Sequence, residues 1–180
     1  YVVLPAHGVI PLASSLSFEE GACLPCAGVT AWNALMEGPR PVRAGDSVLV
    51  LGTGGVSLLA LQIAKAAGAT VVATSSSDEK LDRARALGAD HVINYRANPD
   101  WGAKAAGLTG GIDHVVEVGG VGTLEQSMAA VGFNGEIALI GVLTLEGSPN
   151  PGALMFKGAS IRGIFVGSKI AGKEHKEIIR

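Results

Sequence analysis

Cysteine is scarce in this chain of 180 residues: Cys23 and Cys26 are the only two. A structural zinc site needs a second ligand pair, so the Cys-x-x-Cys spacing reads first as two neighbours on one helix face, where small buried cysteines are common. Aromatic residues make up 4% of the chain and its formal net charge is −2 with no basic patch, which argues against nucleic acid or an anionic membrane surface as a partner. Long apolar runs are missing as well. The longest, Val56 to Ala64, is interrupted by Ser57 and Gln62 and is too short to span a bilayer. With no signal peptide read ahead of it and 48% hydrophobic residues, the composition is that of a soluble, cytoplasmic globular domain. The histidines, His7, His91, His114 and His175, are scattered, and none is assigned catalysis.

Glycine, by contrast, is abundant, at 26 residues. The apolar run Ser47-Val48-Leu49-Val50-Leu51 feeds Gly52-Thr53-Gly54-Gly55-Val56-Ser57 and then a helical pattern, the strand–turn–helix order of a dinucleotide site. Gly52 would make the tight turn. Gly54 would let a pyrophosphate approach the backbone, where unpaired N–H groups and the positive end of the helix dipole meet its charge. Thr53, Gly55 and Val56 complete the candidate phosphate loop. Ser57 stands where the common pattern has a third glycine, and a tight turn with no ligand would read the same way.

Six short, near-continuously apolar runs are read as strands: Ser47 to Leu51, Thr70 to Thr74, His91 to Asn94, His114 to Val118, Glu136 to Gly141 and Ser160 to Val166. Amphipathic segments at Gly55 to Ala67, Asp78 to Leu87, Pro99 to Ala106 and Thr123 to Val131 lie between them. This alternation predicts an α/β fold, a doubly wound six-stranded parallel sheet of the Rossmann type. Ser17 with Glu20, and Ser76 with Glu79, are capping-box signatures. At the end of the second strand an NAD site usually offers an acid to the adenosine ribose. Here the chain reads Thr74-Ser75-Ser76-Ser77-Asp78-Glu79-Lys80, so hydroxyls occupy that place and Lys80 could neutralise a 2′-phosphate. NADP(H) is therefore favoured over NAD(H). In the opposing view Ser76 is only a helix cap and Lys80 and Arg96 are solvated charges.

Leu24-Pro25-Cys26-Ala27-Gly28-Val29-Thr30-Ala31-Trp32-Asn33-Ala34-Leu35 resembles the medium-chain dehydrogenase/reductase superfamily, in its zinc-type alcohol dehydrogenase-like and quinone oxidoreductase-like branches. Leu87-Gly88-Ala89-Asp90, Asn94-Tyr95-Arg96, Val116-Glu117-Val118-Gly119-Gly120 and Ile140-Gly141-Val142 extend the resemblance along nearly the whole chain. It implies that residues 1–25 are the end of a catalytic domain and a connector, with Tyr1 to Pro5 a last strand. Residues 26–180 would be the cofactor domain, ending within a helix that begins near Gly172, with most of the catalytic domain absent. It also implies that Tyr95 lies by the adenosine pocket, and that Val118, Gly119, Gly141, Val142 and Leu143 flank the nicotinamide. Cys26 would correspond to a ligand of catalytic zinc in some members; metal-free chemistry is preferred, because members with the same Cys-Ala-Gly segment lack metal. Phe165-Val166-Gly167 would lead toward a homodimer contact. The implied function is hydride transfer between NADP(H) and a small-molecule substrate, an alcohol–aldehyde pair or a quinone or enone. The alternative is a non-catalytic nucleotide-binding module or redox sensor. No catalytic residue is assigned.

Overall fold

The computed structural model of the chain describes residues 2–167 other than 142, 144, 145 and 148. A 3-10 turn at Ala6–Gly8 precedes α1 (Phe18–Cys23), a single π-turn at Leu24–Gly28 and α2 (Val29–Met36). The alternating part follows as β1 (Ser47–Leu51), α3 (Gly55–Ala66), β2 (Thr70–Ser75), α4 (Asp78–Ala86), β3 (His91–Asn94), α5 (Trp101–Thr109), β4 (Ile112–Glu117), α6 (Val121–Ala130), β5 (Val131–Leu139), α7 (Gly152–Lys157) and β6 (Ser160–Gly163). All five strand pairings are parallel, in the order β3-β2-β1-β4-β5-β6. The expected doubly wound sheet is therefore present, and its strand order reverses between β1 and β4.

Burial explains why these runs are apolar without alternation. Val48 and Val50 of β1 face one core with Leu35 of α2 and Ala60, Leu61 and Ala64 of α3. Leu49 and Leu51 face the other, with Trp101 and Ala105 of α5 and Leu124 and Met128 of α6. Both sides of the strand leave water, so both must be hydrophobic.

Ser17 and Glu20 form the expected capping box, with Glu20 N–H donating to Ser17 Oγ at 3.2 Å and Ser17 N–H to Glu20 Oε2 at 2.8 Å. The second predicted box does not form. β2 runs on to Ser75, whose hydroxyl accepts the Ser77 N–H at 3.4 Å, so Ser77 is the cap and Lys80, an N–H bearer, falls at the third helical position. β6 is also shorter than predicted. Ile164 N–H still donates to Leu139 O at 2.9 Å, but Val166 has φ 51° and its carbonyl accepts Asn33 Nδ2–H at 2.9 Å, which turns the chain off the sheet toward α2. No strand forms at residues 2–5, where Val2 and Val3 are 80% and 99% exposed without a partner strand; Tyr1 and the helix expected near Gly172 lie outside the described residues.

Two polar networks fasten the sheet away from its carboxyl edge. Arg162 donates to Glu136 Oε1 (3.0 Å) and to the Asn33 and Ala34 carbonyls (2.9 and 3.1 Å), tying β6 to α2. At the amino edge Asp113 accepts from Ser47 N–H and Ser47 Oγ, both at 2.9 Å, and from Arg40 at 2.6 Å. Burial alone would raise the Asp113 carboxyl, but the Ser47 donors and the Arg40 guanidinium outweigh it and hold it below its usual 3.8. Burial pushes the neighbouring His114 below its usual 6.5, against the opposing pull of Asp46 at 3.3 Å, and leaves its Nδ1 unpartnered.

Both groups bind protons more readily in the unfolded chain, so acid favours unfolding in two stages. Stability contributed by neutral His114 is complete above pH 6.5 and is lost as pH falls from there toward its folded value; that of Asp113 is complete above 3.8 and is lost below it. Urea midpoints measured from pH 8 downward check this. His114→Gln is expected to flatten the first stage and leave the second.

Candidate dinucleotide site

The strand order reverses between β1 and β4, and the glycine turn leaves the carboxyl end of β1 there. Gly52 has φ +73°, the left-handed region that favours glycine, and its N–H donates to the buried Thr74 hydroxyl of β2 at 3.3 Å. Gly54 caps α3 with no side-chain hydrogen bond, so the first-turn N–H groups of this 12-residue helix carry no internal cap. A Cβ built on Gly54 would meet nothing within 4 Å. The protein's own packing therefore does not explain the glycine, whereas a pyrophosphate passing over the helix end would. Ser57 is buried and donates to Leu51 O at 2.6 Å. It is small enough to let α3 approach β1, and its own bond replaces the missing third glycine.

On the β2 side, Ser75 is buried with its hydroxyl turned to Ser77 N–H, while Ser76 is half-buried and Lys80 exposed with no ion pair among the described residues. Tyr95 N–H donates to Ser75 O at 3.0 Å, which brings the ends of β2 and β3 together, and Tyr95 is 41% exposed. Asp78, the acid nearest the usual ribose position, is held by Asn94 Nδ2–H at 2.9 Å.

On the β4 side the glycines serve the chain's own contacts. A Cβ on Gly141 would stand 2.0 Å from both C and O of Val118 and 2.6 Å from Gly119 N, and one on Gly119 would stand 2.3 Å from Thr123 Oγ1. Gly141 thus lets the β4 and β5 exits cross. Leu143 is 82% exposed, and Val142 lies outside the described residues. Glu117, which sequence reasoning passed over, is fully buried at the end of β4. Its Oε1 accepts Gly119 N–H at 2.7 Å, Gly120 N–H at 3.0 Å and the Thr123 hydroxyl at 2.6 Å, and its Oε2 is bonded to the Ser127 hydroxyl. The signal was a single acid inside an otherwise apolar strand that must be covered on both faces.

Cys23 and Cys26 are both exposed free thiols, a correction to the buried-core reading. α1 buries none of its residues in this chain, so its cysteine has no core to enter. The π-turn does reach the site, since a Cβ on Gly55 would meet Ala27 Cβ at 3.6 Å. Among the described residues, however, no three His, Cys, Asp or Glu side chains gather as a metal site requires. The described residues of this chain do not by themselves complete a zinc site. Among the described residues no helix is long and apolar enough to cross a membrane.

A doubly wound parallel sheet with an open glycine turn at its switch point is the architecture of a nucleotide-binding domain. Comparison with known proteins narrows the class. The zinc-binding dehydrogenase family matches residues 55–180. A zinc-type alcohol dehydrogenase-like protein of Schizosaccharomyces pombe is 53% identical over 176 residues, covering 93% of this chain and 51% of that protein. A quinone oxidoreductase of Pongo abelii is 34% identical over 170 residues, covering 92% of this chain and 50% of its own. A solved structure of an NAD-dependent alcohol dehydrogenase superposes with a TM-score of 0.86 at 38% identity, covering 99% of this chain and 54% of the other. The chain belongs to the zinc-binding dehydrogenases of the medium-chain dehydrogenase/reductase superfamily. It spans about half the length of the relatives it matches.

Proposed function

We propose that the chain is the cofactor-binding domain of an oxidoreductase that passes hydride between a nicotinamide dinucleotide and a small substrate. The substrate class is an alcohol–aldehyde pair or a quinone or enone, in keeping with the alcohol dehydrogenase and quinone oxidoreductase relatives. The observation that carries this reading is the unfilled space over Gly54 at an uncapped helix end. The cofactor supplies the hydride chemistry; the chain's residues bind and orient it. The first-turn N–H groups of α3 meet the pyrophosphate, the Gly52 turn is held by Thr74, and the β4 and β5 exits present backbone to the ring. Substrate polarisation falls to groups outside this chain, so the 180-residue chain is expected to bind cofactor without turnover.

Within this reading NADP(H) is preferred. Asp78 is engaged by Asn94 rather than offered to a ribose, and Lys80 stands one turn into α4 with its ammonium free of partners among the described residues. Calorimetric titration with NADPH and NADH at one ionic strength tests both levels. Binding of either supports the cofactor domain; preference for NADH rejects the serine–lysine pocket and keeps the domain. Lys80→Ala is expected to weaken NADPH by about tenfold and NADH little, the low end for a charge-assisted hydrogen bond because water screens an exposed ammonium. Equal losses for the two would count against the phosphate role. A homodimer joined along β6, the outer strand of the sheet, belongs to the same proposal, and sedimentation of the protein checks it.

A further inference from the structure

We propose that Glu117 is a positioning residue for the nicotinamide half of the dinucleotide, acting through the turn at residues 118–120; this rests on the cofactor-domain reading above. One residue fastens both strand exits beside the switch point. Through its carboxylate it gathers Gly119 N–H, Gly120 N–H and the hydroxyls of Thr123 and Ser127, and through its carbonyl it accepts Ile140 N–H at 2.8 Å and Gly141 N–H at 3.0 Å. A carboxylate in the interior of a sheet is tolerated only where fixed donors replace the water it gave up, and here the four donors named come from α6 and the turn that leads into it. Capping α6 alone would not require it. A serine or aspartate at the cap position does that at the surface, whereas this helix has Gly120 at its cap, with φ 91°, and no side-chain cap from that residue.

The consequence is an asymmetry between the two helices that start at the crevice. The amino end of α3 has an open approach and no internal anion, while that of α6 is filled from within by Glu117. Phosphate is therefore directed to α3. The β4–β5 side keeps a rigid, already neutralised backbone for the part of the ligand that carries no phosphate, and a dinucleotide laid across the switch point places its nicotinamide there. Rigidity in the free protein lowers the ordering cost of binding that half.

The test compares each dinucleotide with its counterpart lacking nicotinamide: NADPH with ADP-ribose 2′-phosphate, and NADH with ADP-ribose. Glu117→Gln keeps the size and one acceptor oxygen but removes the charge that these donors meet, and its NH2 takes the Oε2 place beside the Ser127 hydroxyl. It is expected to weaken the dinucleotides by about tenfold or more, the scale of one charge-assisted bond, and the nicotinamide-free ligands by less than about twofold. Losses shared equally by both ligands, or absent from both, would overturn the assignment. If Glu117→Gln fails to fold, Ser127→Ala removes only the Oε2 partner. It is expected to give a smaller loss with the same selectivity, and an unselective result would again overturn the proposal. Failure of the unaltered protein to bind any of the four ligands would overturn the cofactor-domain reading, and this inference with it.

Discussion

Gly54→Val is expected to drive the binding of NADPH and NADH below detection while the protein stays folded. The backbone at Gly54 is extended, φ −79° and ψ 174°, a conformation that valine adopts freely, and its Cβ would meet no protein atom within 4 Å. Folding therefore loses only the difference between glycine and a branched residue at a helix cap, about 1 kcal/mol, or a shift of about 2–4 °C in a domain of this size. The ligand loses the close approach itself. A branched side chain stands where the pyrophosphate must pass, and the first-turn N–H groups of α3 can no longer reach it. Calorimetry and a thermal melt on the same sample separate the two effects. Unchanged affinity would show that the turn is structural only, and a collapsed melt would show that Gly54 is needed by the fold.

Gly141→Ala is expected to do the reverse, lowering the stability of the domain whether or not cofactor is present. The new methyl group would overlap the Val118 carbonyl carbon and oxygen at 2.0 Å, and both are backbone atoms that no rotamer change can move. Relief requires the β4 and β5 exits to separate, which strains the bonds that Ile140 and Gly141 N–H make to Glu117 O. The cost is expected at the upper end for overpacking, about 3 kcal/mol. A urea titration reads it as a lower midpoint at unchanged slope. A midpoint within error of the unaltered protein would mean that the exits are not in rigid contact.

These two glycines look alike in the sequence, since each follows a strand and each fits a nucleotide-binding pattern. What separates them is the neighbour. At Gly54 the space is open, so no contact of the fold asks for glycine; at Gly141 it is filled by another strand, so the residue answers to the fold. No local pattern around Ile140-Gly141-Val142 could show that Val118 lies across from it, because that contact depends on β4 and β5 pairing in register.

Glu117 was partly legible. Its carboxylate partners lie within ten residues, and a lone acid in His114-Val115-Val116-Glu117-Val118 is conspicuous once both faces of the strand are known to be covered. Motif reading nonetheless attends to the glycines that follow it. The Ser76–Glu79 cap failed for a smaller reason, one more residue of β2, which puts the cap at Ser77. Cys23 and Cys26 were expected to be buried as neighbours on one helix face, yet α1 ends at Cys23 and buries none of its residues, and Cys26 falls in the exposed part of the π-turn that follows.

The sequence by itself determined the six strands, their parallel stacking and the glycine turn ahead of α3. Those properties are written in local periodicity, in apolar runs too continuous for a half-exposed strand, and in the conformational demands of a tight turn. The tertiary structure alone decided which glycine faces space and which faces backbone, that the amino end of α6 is filled while that of α3 is open, and that Arg162, Glu136 and Asn33 join β6 to α2. Each of these turns on atoms brought together by packing, and the free energy of a contact depends on the distance and burial that packing sets.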